Sequence, residues 1–171
     1  GFWGPRSIVV DRDGNVIVAD TGNKRLQKFD ATGKFLAQFG QGGAGPAQLN
    51  EPIGLAVDPQ GNILVADTMN RRVQKLDPSG KYLAEFPIQG WQSGPRTEPY
   101  IAIDAQGYLF LTDPPNNRVL KMNPSGEVLT VVGVAGKSSG QFDLPLGIAI
   151  DGINLLVVDS GNGRIQTIGQ S

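Results

Sequence analysis

The sequence predicts an all-β fold made of four consecutive sheets, each of four short strands. Three observations predict it. One residue pattern recurs four times along the 171 residues at an almost constant step. Each copy breaks into short apolar runs divided by Gly, Pro, Asp and Asn, residues that build turns. No stretch carries helical periodicity of useful length.

The recurring pattern sets the elements in order. Asp20, Asp67, Asp113 and Asp159 stand 47, 46 and 46 residues apart, each closing an apolar run. An Asn follows three residues later, at Asn23, Asn70, Asn116 and Asn162, and an Arg two after that, at Arg25, Arg72, Arg118 and Arg164. Pro5, Pro52, Pro99 and Pro145 open the copies. The first strand of a copy reads IVVD, IGLAVD, YIAID or LGIAID, and the second reads VIVAD and its equivalents. RLQKF and its equivalents form the third, and KFLAQFG, KYLAEF or EVLTVVG the fourth. The fourth copy stops after its third strand, RIQTIG. DRDGN, DPQGN and DAQGY separate strands one and two, while DATGK, DPSGK and NPSGE separate three and four. Such clusters suit tight hairpins, because Asp and Asn bond their own backbone and Gly accepts positive φ. Asp11, Asp58, Asp104 and Asp151 are read as turn residues on that ground.

The second strands, VIVA, ILVA and LLVV, are apolar at every position. A sheet with one wetted face would alternate apolar and polar residues, so each sheet is expected to lie between two others. Four-stranded repeats of this length meet that demand by stacking as the blades of a β-propeller. Gly54 and Ala56 alternate with Ile53, Leu55 and Val57, which suits a first strand crowded near the axis.

The D-x-x-N-x-R core after an apolar strand, led by P-x-G-[IL]-A-[VI]-D, resembles the NHL repeat over essentially the whole chain. The histidine of that family's name is replaced by Lys24, Arg71, Asn117 and Gly163. The resemblance implies one propeller domain over 1–171, with repeats at about 5–51, 52–98, 99–144 and 145–171. NHL propellers most often have six blades, so two endings stay open. Residues 1–4, GFWG, complete the last blade of a closed four-blade ring, or the chain is a partial, open array from a larger propeller. With no initiating Met, the chain reads as a mature product or an excised piece. The run GWQSGPRTEPYIAID with TDP is also similar to propeller segments of bacterial multi-pass membrane proteins related to glycosyl transfer. The compartment stays open, with an extracytoplasmic one slightly favoured.

Composition narrows the chemistry. There is no Cys and no His, which removes disulfides, thiolate ligands, Cys nucleophiles and the commonest general base and zinc ligand. Fifteen basic and 16 acidic residues give a net charge of −1, without the basic surplus that nucleic-acid binding usually needs. No run approaches the roughly 18 apolar residues of a membrane span. No cofactor and no metal site is expected.

In an antiparallel sheet the turns after strands one and three share one end. The turns after strand two and the connections between copies share the other. That second end gathers the Asp–Asn–Arg motif and the connections GQGGAGPAQLNEP, PIQGWQSGPRTEP and GVAGKSSGQFDLP. The motif is read as structural, because a unique site would not recur in each blade. Asp is expected to cap the turn with backbone N–H bonds, Asn to adopt the left-handed conformation and Arg to pair with an Asp. Trp91 and Arg96 replace Ala44 and Leu49 of the first connection, and Phe142 stands at the Arg96 position of the third. Trp91, Arg96 and Tyr100 are therefore the candidate ligand-binding residues, able to stack on and hydrogen-bond a sugar or peptide; the other reading of Trp91 is a hydrophobic plug packed over the blade edge. Some NHL propellers in tripartite-motif ubiquitin ligases bind RNA through a basic face. Here Lys24, Arg25, Lys28, Arg71, Arg72 and Lys75 form only a mild basic cluster.

The reading favoured is a non-catalytic binding or scaffold module with a protein or glycan partner. One alternative is a calcium-dependent propeller hydrolase or lyase using Asp, Glu and Asn, for which Glu51, Glu98 and Asp143 are the spare acids. The resemblance to amidating lyases fails at their His ligands. The other alternative is self-association through open blade ends to form a larger ring.

Overall fold

A computed structural model of the chain describes residues 1–91 and 97–169; Arg96 lies outside them. The chain divides into two compact units, Gly1–Ile88 and Gln89–Ser171. The division falls just past the last strand of the second repeat.

The first unit holds two antiparallel four-stranded sheets. One contains β1 (Ser7–Val10), β2 (Val16–Asp20), β3 (Arg25–Phe29) and β4 (Phe35–Phe39), in that order. The connection that follows makes a short parallel pair, β5 (Gln41–Gly42) with β6 (Gln48–Leu49). The second sheet contains β7 (Pro52–Val57), β8 (Ile63–Asp67), β9 (Arg72–Leu76) and β10 (Tyr82–Pro87).

In the second unit the third sheet runs β11 (Ile101–Ile103), β12 (Leu109–Asp113), β13 (Arg118–Met122) and β14 (Val128–Val132). The fourth has three strands among the described residues: β15 (Pro145–Asp151), β16 (Asn154–Asp159) and β17 (Arg164–Gly169). Residues 1–4 serve the first repeat. The Trp3 N–H donates to Asp20 at 2.8 Å, and the Trp3 carbonyl accepts from the Gly22 N–H at 2.9 Å.

Each second strand leaves its sheet through one turn of 3-10 helix, at Thr21–Asn23, Thr68–Asn70, Pro114–Asn116 and Ser160–Asn162. The left-handed residue is the one after the expected Asn: Lys24, Arg71, Asn117 and Gly163, with φ of 55°, 56°, 52° and 62°. The Asn stays inside the 3-10 turn, and its side chain bonds the Asp instead. The next residue must reverse the chain into the third strand, and positive φ does so.

Asp11, Asp58 and Asp104 do organise the hairpins after strand one. The Asp58 carboxylate accepts the N–H groups of Gln60 and Asn62 at 2.9 and 2.8 Å, and Asp11 and Asp104 do the same in their copies. Asp151 departs from this, because the fourth copy has a shorter turn and Asp151 pairs with Asn154 inside the sheet.

Sheets one and two pack through Ile17, Leu26 and Phe39 against Leu55, Ile63, Val65 and Leu76. Leu49 on the connection inserts there and is fully buried. In the second unit Phe110 and Val119 of sheet three meet Leu155 and Val157 of sheet four, with Phe142 of the third connection equally buried. Burying each such side chain stabilises the fold by about 1.5–3 kcal/mol.

Candidate functional site

The polar centre of each repeat forms where β-pairing sets Asp and Arg directly opposite: Asp20 with Arg25, Asp67 with Arg72, Asp113 with Arg118, and Asp159 with Arg164. All four carboxylates have no exposed surface. Burying an unpaired carboxylate is costly, so the surroundings must supply donors. In the second repeat Asp67 accepts from Arg72 Nε at 2.8 Å, Asn70 at 2.8 Å, Gln74 at 3.0 Å and the Asn50 N–H at 2.6 Å. Asp20 and Asp159 have the corresponding partners.

The Asp therefore takes its backbone N–H from the incoming connection, about 17 residues upstream, rather than from its own turn. None of the four caps its 3-10 turn with its side chain. The Arg holds the same segment from the other side. Arg72 Nη2 donates to the carbonyls of Gly45 and Gln48 at 2.9 and 3.0 Å, and Arg164 Nη2 to those of Ser138 and Gln141 at 2.7 and 3.0 Å. Each cluster thus fastens a connection onto the end of its sheet.

The charges follow from this geometry. At Asp20 and Asp159 burial works against ionisation. The donated hydrogen bonds from a connection N–H, the Arg, the Asn and the Gln outweigh it and lower both pKa values. Burial opposes the Asp11 charge too, but Lys28 at 2.8 Å and Asn15 hold its pKa down to about 2. Asp58 is lowered in the same way against Lys75. Four members of the basic cluster, Arg25, Lys28, Arg72 and Lys75, are thus committed to ion pairs. Lys24 and Arg71 project from the left-handed positions as exposed cations.

The sequence reading missed two recurring glutamines. Gln27, Gln74 and Gln166 each donate to their Asp, and the signal was legible as RLQ, RVQ and RIQ. Leu120 replaces this Gln in the third repeat. Gln48 and Gln141 fold two of the connections by accepting the N–H groups of Gly45 and Ser138 at 2.9 and 3.1 Å. Their signal was the shared Q-[LF]-[ND]-x-P.

Trp91 is 5% exposed. Tyr100 is half-buried, and its N–H donates to Thr112 Oγ1 at 2.8 Å. Trp91 and Tyr100 flank the stretch that holds Arg96. Glu51 carries a φ of 58° just before Pro52, and Asp143 lends its N–H to Asp159 at 2.7 Å. Among the described residues no three His, Cys, Asp or Glu side chains converge as metal ligands. No helix among them is long and apolar enough to cross a membrane.

Successive antiparallel blades, each fastened to the connection before it by a buried Asp–Arg pair, define a chain of the β-propeller class. The family profile for the NHL repeat matches residues 2–29 and 49–76, the first two copies of this arrangement. Those two copies are similar to NHL repeats over about a third of the chain. Protein brain tumor of Drosophila melanogaster is 43% identical over 51 residues, which are 30% of this chain and 5% of that protein. A chain of the nidogen/laminin complex superposes with a TM-score of 0.73 at 19% identity, covering 98% of this chain and 60% of that one. A streptogramin B lyase structure gives 0.69 at 17% identity, covering 96% and 54%. The chain thus spans little more than half the length of these solved structures, and the likeness to them is one of fold.

Proposed function

We propose that the chain is a non-catalytic NHL propeller module that binds a protein or glycan partner through the segments joining its blades. The observation that carries this reading is the state of the recurring carboxylates. Asp20, Asp67, Asp113 and Asp159 are wholly buried and engaged by their own repeats, so none is left to act on a substrate. What remains variable at that end of the sheets is the connections, and loops held on a rigid scaffold commonly carry binding. Trp91, Arg96 and Tyr100 distinguish the second connection, next to the repeat whose Gln has become Leu120. In this reading buried Trp91 anchors the segment, and Arg96 and Tyr100 meet the partner. The fold likeness to a chain from a complex of two proteins supports binding as the mode of action.

A metal-dependent lyase or hydrolase is the second reading, favoured by the fold likeness to lyases. Against it, a His-to-Ala variant of the Staphylococcus aureus virginiamycin B lyase is catalytically inactive, and this chain has no His. A glycan array and a panel of candidate protein ligands, read with Arg96→Ala and Trp91→Ala, separate the readings. At least a tenfold loss of binding in Arg96→Ala is expected. Unchanged binding in both variants removes these residues from the site, and turnover of a lactone panel with added calcium supports the enzyme.

A further inference from the structure

In the first, second and fourth repeats the residue two places before the opening Pro donates its N–H to the buried Asp. Trp3 donates to Asp20, Asn50 to Asp67 and Asp143 to Asp159, at 2.8, 2.6 and 2.7 Å. Its carbonyl accepts from the second residue of the 3-10 turn in the same repeat: Gly22 at 2.9 Å, Met69 at 3.1 Å and Gly161 at 2.7 Å. The two positions change together. Where the turn carries Met69, the residue opposite is the short Asn50. Where it carries Gly22, the residue opposite is Trp3, and a Cβ on Gly22 would lie 2.8 Å from Cδ2 and 2.9 Å from Cγ of the indole. A Cβ on Gly161 would meet the Asp143 carboxyl in the same way. Gly22 is thus the bed on which the Trp3 ring rests.

Although its ring lies against that turn, Trp3 is 70% exposed. Both of its backbone polar atoms are engaged, so the indole is displayed from a fixed backbone and has little freedom left to lose on binding. Openness here is a property of the position, whatever precedes the first repeat. Asp143 is exposed with sheet three and a whole connection before it, and Asn50 is part-exposed with sheet one and a whole connection before it. The residues exposed on the same turn are Asn23 and Lys24, both polar. Asp20 beneath them is buried and paired with Arg25 at 2.8 Å, which leaves the Lys24 ammonium as the exposed charge of the turn.

We propose that Trp3 is the stacking platform of a carbohydrate site on the first unit, and that the sugar it takes carries a carboxylate. A pyranose presents an apolar C–H face, which suits the open face of the indole. Its edge is hydrophilic, which suits a rim of Asn23 and Lys24. The Lys24 ammonium favours an acidic sugar and disfavours a cationic side chain, the other common partner of a Trp face. An apolar peptide side chain fits the same rim poorly. This site does not rest on the reading of the second connection, because Trp3 and its turn lie wholly within the first repeat.

Titration of the full chain with tetragalacturonate and a hyaluronan tetrasaccharide tests the proposal, with maltotetraose as the neutral probe and a proline-rich peptide as the other class of ligand. Calorimetry gives affinity and Trp fluorescence gives location. Trp91 is buried, so a blue shift on binding should come from Trp3 and vanish in Trp3→Phe. At least one acidic probe is expected to bind, and about tenfold more weakly to Trp3→Ala. Gly22→Ala keeps the indole but lifts it from its bed, and should weaken binding by a similar factor. Lys24→Gln should weaken the acidic probe about threefold. Trp3 is largely exposed, so Trp3→Ala should keep the wild-type circular dichroism spectrum. Binding by neither acidic probe overturns the proposal, as does equal affinity in Trp3→Ala, equal affinity for maltotetraose, or binding of the peptide alone. A blue shift that persists in Trp3→Phe places the ligand at Trp91 and overturns it as well.

Discussion

Sheets one and two carry almost the same residues, but their surroundings differ. Arg72 is 8% exposed on its side chain and Arg25 24%; Leu49 is fully buried and Phe2 half exposed. The repeat sets which atoms meet within a blade, and the neighbouring blade sets how dry that meeting is. The same motif should therefore contribute different amounts to stability in the two copies.

The largest effect is expected at the drier ion pair. Asp67→Ala removes the buried acceptor shared by Arg72, Asn70, Gln74 and the Asn50 N–H, although Arg72 keeps Glu85, and should cost about 3–5 kcal/mol, while Asp20→Ala leaves Arg25 with better access to water and should cost about 2 kcal/mol. Urea unfolding measures both, and equal costs would break the comparison. The connection plug comes next. Leu49→Ala should cost about 2–4 kcal/mol by opening a cavity, and Phe2→Ala about 0.5 kcal/mol in the single chain.

Acid should act on both of these sheets and on the fourth. Asp11, Asp20, Asp58 and Asp159 have pKa values lowered by folding, so their contribution is complete above the unfolded value near 4 and disappears as pH falls through the folded one. Thermal melts from pH 7 to pH 2 should be flat above about pH 5 and fall steeply below about pH 4. Loss of stability between pH 7 and 5 would contradict the pairing. The smallest effect sharpens the comparison by being equal in both repeats. Lys24→Asn and Arg71→Asn place a residue tolerant of positive φ at matching turns. Each should stabilise by about 0.5 kcal/mol in urea unfolding, because this strain lies in the backbone and not in the neighbouring sheet.

Much of the fold was legible. Strand order and turn positions followed from short apolar runs divided by Gly-rich turns, because those signals are local. The Asp–Arg pairing was legible as well, since strand register places residues five apart across a hairpin. The role of that pair in holding the upstream connection was not. Its partners, such as Asn50 and Gly45 for the Asp67–Arg72 pair, lie 17 to 27 residues away in sequence and meet it through backbone atoms that carry no residue signature. The left-handed position was misplaced by one residue, because Asn is tolerant of positive φ but was needed as a donor to Asp20 and its equivalents. The sequence left Trp91 as a ligand platform or as a plug over the blade edge, and its burial matches the plug.

By itself the sequence determined the blade: its length, its four-strand pattern and the residues that turn it. These depend on period, turn chemistry and hairpin register, all set within one repeat. Only the tertiary structure decided how dry each polar cluster is and which connection atoms the Asp and Arg hold. Those depend on what stands beside a blade, and identical repeats cannot encode a difference between their own neighbours.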